Sequence, residues 1–316
     1  MKFLVTGANG FVGRALCTQL LARGFEVRGA VRSEKSVLPQ GVERIAVGEI
    51  HGDTDWSSAL QGIDIVIHLA ARVHVMKDES SDPLSEFRKV NVEGTEKLAI
   101  SAARAGVERL VYASSIKVNG EATTIRPYSE TDASGPQDPY GVSKWEAERM
   151  LHRISKENGI EFAIIRPPLV YGPGVGGNFI RMLDWIAKGI PLPLGSVKNR
   201  RSMIYVENLA DALILCSTHP DAANQTYLVS DNETVSTPEL LERLSAIMGR
   251  RMAIPPFPVF LLDFLGKIAG KSAELQRLTG SLEVDASKIR KTLAWNPPSS
   301  LDTGLTRTVD WFSNSR

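Results

Sequence analysis

Cysteine is nearly absent from this chain. Cys17 and Cys216 are the two present among 316 residues. That is too few for a disulfide-stapled scaffold, and each sits in an apolar helical pattern, so both are expected to be core thiols of a protein kept in the reducing cytoplasm. An excess of either charge is missing too. Thirty-seven basic residues face 36 acidic ones, which argues against the broad cationic surface that nucleic acid binding needs. Histidine is scarce, and His51, His68, His74, His152 and His219 show no ligand spacing, so no metal site is expected. An uninterrupted apolar run is also lacking. The most apolar late stretch, residues 254–269, contains three prolines, Asp263 and Lys267. It is expected to be buried or to lie in an interface, not to span a membrane. Met1 leads directly into a strand pattern, which leaves no room for a signal peptide.

What is present begins at once. Residues 1–6 read as a short buried strand, Gly7-Ala8-Asn9-Gly10-Phe11-Val12-Gly13 follows, and residues 15–22 have apolar residues at helical spacing. A strand, a glycine-punctuated turn and a helix start form the arrangement that holds a diphosphate. Glycines permit a tight turn and close approach, and a helix N-terminus offers free N–H groups. The spacing is Gly-x-x-Gly-x-x-Gly, and in this context it predicts dinucleotide binding.

Strand patterns continue at 25–31, 42–47, 63–69, 109–113 and 161–165, with helices predicted over 87–105 and 139–155. This alternation predicts an α/β, doubly wound, Rossmann-type parallel sheet with ligands at the carboxyl ends of the strands. After Arg166 the alternation loosens amid prolines and glycines. Helices are expected near 179–188, 206–217, 238–248 and 285–293, and a strand at 227–229 that returns to the main sheet. The expected organisation is a dinucleotide-binding domain over 1–165 and a smaller substrate-capping region over 166–316, parts of which pack back on the sheet.

Tyr140 and Lys144 lie four residues apart, hence on one helix face. An ammonium near a phenol stabilises the phenolate and lowers its pKa, making Tyr140 a usable acid or base near neutrality. The predicted strand at 109–113 ends in Ser114-Ser115, where a hydroxyl can bond a substrate oxygen.

These motifs in this order resemble the extended short-chain dehydrogenase/reductase superfamily, in its branch of nucleotide-sugar epimerases, dehydratases and 4-ketoreductases. Thr6 to Gly13 is similar to its cofactor loop, and His68-Leu69-Ala70-Ala71 to its fourth-strand signature. Asn91-Val92-Glu93-Gly94-Thr95 resembles the segment that braces the active-site helix. Ser114 to Gly120 and Pro139 to Lys144 resemble its catalytic segments, and Arg166-Pro167 with Tyr171-Gly172-Pro173-Gly174 the segment beneath the nicotinamide. The resemblance implies Ser115, Tyr140 and Lys144 as catalytic residues. It implies cofactor contacts at Gly7, Asn9, Gly10, Phe11, Val12, Gly13, Arg32, Glu49, Ile50, Leu69, Ala70, Ala71, Asn91 and Pro167, besides Tyr140 and Lys144. Substrate contacts are implied at Ser114, Ser115, Asn178, Arg201 and Arg277. In this reading a hydride passes between C4 of a UDP-linked hexose and the nicotinamide. A homodimer through residues 87–105 and 145–154 is also implied.

Two departures narrow the expectation. Relatives that eliminate water carry an Asp-Glu pair where this chain has Ile116 and Lys117, which disfavours a 4,6-dehydratase. At the end of the second strand, NAD-preferring relatives place an Asp, whereas this chain has Val31 and Arg32. An Arg suits a 2′-phosphate, so NADP is the preferred cofactor over NAD. Short segments at 115–120 and 278–282 resemble reductases that act on a UDP-4-keto-6-deoxy-HexNAc in surface-polysaccharide synthesis. The expected activity is therefore a 4-ketoreductase. The alternatives are a 4-epimerase with tightly held NAD and a non-catalytic NADP(H)-binding protein.

Overall fold

A computed structural model describes residues 1–73, 82–268, 270 and 272–315; His74 and Ala269 lie outside them. The elements in chain order are β1 (Lys2–Thr6), α1 (Phe11–Ala22), β2 (Glu26–Val31), β3 (Glu43–Ala46), α2 (Ser57–Leu60), β4 (Ile65–His68), α3 (Pro83–Arg88), α4 (Gly94–Arg104), β5 (Arg109–Ala113), α5 (Pro139–Asn158) and β6 (Glu161–Arg166). Then follow β7 (Leu169–Tyr171), α6 (Gly177–Ala187), β8 (Arg201–Tyr205), α7 (Val206–Thr218), β9 (Gln225–Leu228), β10 (Thr234–Val235), α8 (Thr237–Ile247), α9 (Val259–Ile268), α10 (Ser272–Thr279), α11 (Ser287–Leu293) and α12 (Leu301–Asn314).

The main sheet has the order β3-β2-β1-β4-β5-β6-β9, and every pairing in it is parallel. The chain is a Rossmann-type α/β fold, as its strand pattern predicted. Strands covered on both faces need apolar residues on both faces, and Ile65-Val66-Ile67-His68 of β4 is buried throughout. One face packs on α1 and α7 through Leu16, Leu20, Leu209 and Leu213. The other packs on α4 and α5 through Leu98, Ala102, Leu151 and Ile154. The strand order reverses between β1 and β4, and the crevice at their carboxyl ends is where such sheets take ligands.

The catalytic helix of the sequence reading is defined by its ends. Asp138 caps α5 by accepting from the Gly141 amide at 2.7 Å, Pro139 occupies the first turn, and Gly159 ends it at φ 74°. The helix expected over 87–105 is instead two helices, α3 and α4, joined by a π-turn at Lys89–Glu93. A π-turn inserts one residue per turn without breaking the rod, so hydrophobic spacing alone does not reveal it.

The C-terminal half builds a second, three-stranded sheet, β10-β8-β7, over a core that includes Phe179, Leu183, Tyr205, Leu241 and Leu305. It also contributes β9 to the main sheet, paired with β6. Of the stretch expected to be buried or to lie in an interface, part is exposed. Although Leu262 is buried, Phe260, Phe264 and Ile268 on α9 are 70%, 59% and 70% exposed. Among the described residues, no helix is long and apolar enough to cross a membrane, and no group of His, Cys, Asp and Glu could hold a metal ion.

Candidate active site

The site starts at the β1–α1 turn. Gly7 sits at φ 67°, and a Cβ there would lie 3.0 Å from the Ala70 amide nitrogen. A Cβ on Gly13 would lie 2.2 Å from the Gly7 carbonyl oxygen, too close to tolerate. Glycine is therefore required at both for the turn to press on the end of β4. Helix α1 opens at Phe11 with no side-chain cap and no acidic residue in its first turn. Its free amides and dipole are left to an anion, and the diphosphate of a dinucleotide fits that cradle.

The other expected cofactor residues are distributed around this turn. Asn9 and Gly10 are exposed, and Leu69, Ala70 and Ala71 are half-buried at the end of β4. Phe11 packs beneath Gly174, and Val12 packs into the core. Ile50 packs against Gly94 at the start of α4. Arg32 and Glu49 are both exposed, with the guanidinium 3.9 Å from the carboxylate. The Pro167 carbonyl accepts from the Ile116 amide at 3.0 Å, tying the end of β6 to the segment after β5.

Ser115 follows β5, and Tyr140 and Lys144 occupy the first turns of α5. Ser115 stands near enough to Tyr140 to favour its phenolate. Lys144 is buried; its Nζ donates to the Ala113 carbonyl at 2.8 Å and lies 4.4 Å from the centre of the Tyr112 ring and 5.9 Å from that of Tyr140. The three residues are thus brought together. The electrostatics differ from the expectation. Burial and the neighbouring Asp138 carboxylate push the Tyr140 phenol upward, and Ser115 opposes them. Lys144 is itself pulled down to about 7 by burial, with Glu148 opposing. Tyr140 therefore holds its proton at physiological pH, while Lys144 titrates near it.

Ser114, expected beside substrate, is turned inward. It is buried, and its hydroxyl donates to Glu148. Adjacent residues of extended chain face opposite ways, so Ser115 reaches the cleft and Ser114 the core. Glu148 also accepts from Arg166 Nε at 2.9 Å, and Arg166 donates to Asn119 at 2.9 Å. This buried ion pair underlies both catalytic segments. Ile116 is buried, and Lys117 is paired with Glu121 at 2.8 Å and with Asp138.

Asn91 is buried within the π-turn. Its side chain accepts from the Arg72 amide at 2.8 Å and donates to the Arg72 carbonyl at 3.0 Å and to Ser143 Oγ at 2.9 Å. It therefore braces α5 next to Lys144. Of the expected substrate contacts, Asn178 is exposed in the first turn of α6. Arg201 is partly buried at the start of β8 and donates to the Gly280 carbonyl at 2.9 Å. Burial and the like charge of Arg277 both pull its pKa down, so two guanidiniums approach each other from segments 76 residues apart in the chain.

Sequence reading missed Asp138, Glu148, Ser143 and Thr95. Asp138 was visible as a cap residue before Pro139, but its effect on Tyr140 was not. Glu148 stands one helical turn beyond Lys144 and reads as an ordinary charged helix position.

Residues 3–230 match the NAD dependent epimerase/dehydratase family. A UDP-glucose 4-epimerase of Vibrio cholerae is 42% identical over 314 residues, covering 98% of this chain and 95% of its own length. An N-acetyl-alpha-D-glucosaminyl-diphospho-ditrans,octacis-undecaprenol 4-epimerase of Escherichia coli O157:H7 is 27% identical, covering 98% of this chain and 94% of its own. Among solved structures, MoeE5 in complex with UDP-glucose and NAD has a TM-score of 0.78 at 28% identity, covering 100% and 99% of the two chains. UDP-glucose 4-epimerase from Thermotoga maritima, at 22% identity and TM-score 0.80 over 100% and 99% of the two chains, shares the fold. By its sequence, its sheet and its glycine turn, this chain belongs to the NAD dependent epimerase/dehydratase family.

Proposed function

We propose that the chain is an enzyme that moves hydride at C4 of the hexose of a UDP-linked sugar, and that it works as a 4-ketoreductase on a UDP-4-keto-6-deoxy-HexNAc with NADPH. The observation that carries the C4 chemistry is the gathering of Ser115, Tyr140 and Lys144 at the carboxyl end of β5. The nicotinamide, when bound, supplies or accepts the hydride. Ser115 holds the sugar oxygen, and Tyr140 gives it a proton as the alcohol forms. Lys144 lies beneath both aromatic rings and in its charged form favours the tyrosinate left behind. Arg201 and Arg277 face the diphosphate of the sugar nucleotide, whose charge removes their mutual repulsion. The buried Ile116 and the ion-paired Lys117 argue against delivery of a proton to a departing hydroxyl, the step a dehydratase needs.

The exposed Arg32 at the end of β2 supports NADPH and the reductive direction. The Vibrio cholerae relative supports a second reading, a UDP-hexose 4-epimerase that retains its NAD. The rest of the reading is a cofactor region over 1–165, a capping region over 166–316, and a homodimer formed through α3, α4 and α5.

The protein is to be incubated with a UDP-4-keto-6-deoxy-HexNAc and NADPH, and separately with UDP-glucose or UDP-GlcNAc and no added cofactor. Oxidation of NADPH establishes the reductase; interconversion of hexoses without it establishes the epimerase. In either assay Tyr140→Phe should lower kcat by about 10²–10⁴ while dinucleotide binding persists. Near-normal turnover in that variant would sink the mechanism.

A further inference from the structure

We propose that His68 is a positioning residue for the cofactor turn, held as the neutral Nε2–H tautomer in a one-way hydrogen-bond relay from Thr6 through His68 and Thr95 to the carbonyl of Asn91. The inference rests on the reading of Gly7, Leu69 and Ala70 as part of the dinucleotide cradle, and it gives a role to a buried titratable group that the proposed mechanism does not use.

The direction of the relay follows from counting protons. Thr95 Oγ1 is 2.8 Å from the Asn91 carbonyl oxygen, which can only accept, so the single hydroxyl proton of Thr95 is committed there. Thr95 Oγ1 is also 3.0 Å from His68 Nε2. With its own proton used, Thr95 must accept, and His68 Nε2 must carry a hydrogen. The ring is fully buried, and burial with the nearby Lys144 pulls its pKa down to about 3, so it carries one proton and not two. His68 Nδ1 is therefore bare and accepts from the Thr6 hydroxyl at 2.6 Å. That fixes the lone pairs of Thr6 Oγ1 toward the backbone, where they accept from the amides of Leu69 at 3.2 Å and Ala70 at 3.1 Å.

The amide of Ala70 is the group against which Gly7 is packed. The relay thus sets the distance between the ends of β1 and β4, the two strands that flank the switch point of the sheet. Its other end enters the π-turn, where the Asn91 side chain reaches Ser143 beside Lys144. The His68 ring also stacks on Tyr112 with centroids 5.7 Å apart, and Tyr112 is the ring over which Lys144 Nζ lies. One imidazole therefore connects the cofactor turn to the catalytic helix.

The test begins with the full chain labelled with ¹⁵N. Long-range ¹H–¹⁵N spectra distinguish the two neutral tautomers and the imidazolium, and the His68 signals are assigned by their loss in His68→Asn. The expected result is the Nε2–H tautomer, unchanged between about pH 5 and 8, a range in which a free histidine titrates. An Nδ1–H tautomer, or titration in that range, overturns the proposal. The second measurement is dinucleotide affinity by calorimetry. Thr6→Val removes both the donor to Nδ1 and the acceptor for the two amides, and should weaken NAD or NADPH binding by about tenfold or more. Thr6→Ser should stay within about threefold of the wild type. Wild-type affinity in a folded Thr6→Val variant overturns the positioning role. If the wild type binds neither dinucleotide, the cofactor reading fails, and the tautomer measurement alone decides the relay.

Discussion

Arg166 and Arg201 are both guanidiniums drawn below the surface, and their surroundings differ in sign. Arg166 meets Glu148 in a pair whose side chains are 8% and 4% exposed, with Ser114 and Asn119 taking up further hydrogen-bonding capacity. Arg201 meets the like charge of Arg277, and its guanidinium donates to the Gly280 carbonyl. Burying an ion is costly, and only a well-bonded partner repays it. The first arrangement is complete within the chain, and it is architecture. The second sets like charges beside each other, and in the reading proposed above an anion from outside offsets them. The first is joined through Ser114 to the segment that carries Ser115.

This contrast can be broken in three places. The largest effect is expected on the matched side. Glu148→Ala leaves Arg166 buried and uncompensated, and should cost about 3–5 kcal/mol of unfolding free energy, read from urea or guanidinium denaturation. A cost within about 0.5 kcal/mol would mean that the pair is not structural.

A smaller effect, of opposite direction, is expected at Lys144. Its pKa falls from 10.5 unfolded to about 7 folded. Between those values the unfolded chain binds more protons, so stability rises with pH from about 7 to 10.5, and the full penalty of burying the ammonium applies below 7. Lys144→Met should therefore raise stability near neutral pH by about 1–3 kcal/mol and flatten that part of the pH profile, while abolishing turnover. Destabilisation at pH 6 would show that the bond to the Ala113 carbonyl outweighs burial of the charge.

The smallest change in stability belongs to the cap. Arg277→Ala relieves a like-charge contact, so the melting temperature should hold or rise slightly. KM for the sugar nucleotide should increase about tenfold, the loss of one charge-assisted hydrogen bond, with kcat little changed. An unchanged KM would remove Arg277 from the substrate side.

Much of the fold was legible because parallel strands and glycine turns have local signatures. The apolar run of β4 before His68, and Gly7 and Gly13, each state their role in a few residues. The meeting of Ser115, Tyr140 and Lys144 was legible for the same reason, since Tyr140 and Lys144 share a helix face and Ser115 follows a strand. What was hidden depended on distance or on a single atom. The approach of Arg277 to Arg201 is a tertiary event. The inward turn of Ser114 depends on Glu148, which sits in a charged helix and gives no sign of burial. The upward push on Tyr140 comes from the desolvation that the fold creates. The exposed Phe260 and Phe264 reverse the usual inference from an apolar pattern, because that pattern records an affinity for apolar surroundings and not whether the chain itself supplies them.

The π-turn at Lys89–Glu93 bears on how this chain should be compared with its relatives. A turn closed by i→i+5 bonds holds one residue more than an α-helical turn. A relative shorter by one residue there would show a gap inside a helix, with no loop to absorb it. Because the extra residue is taken up within one wider turn, the segments before and after the gap would keep their faces, and nothing outside the turn would mark the change. An alignment that slides the gap into a neighbouring loop would pair the wrong residue with Asn91, and a substitution experiment designed from it would test a bystander.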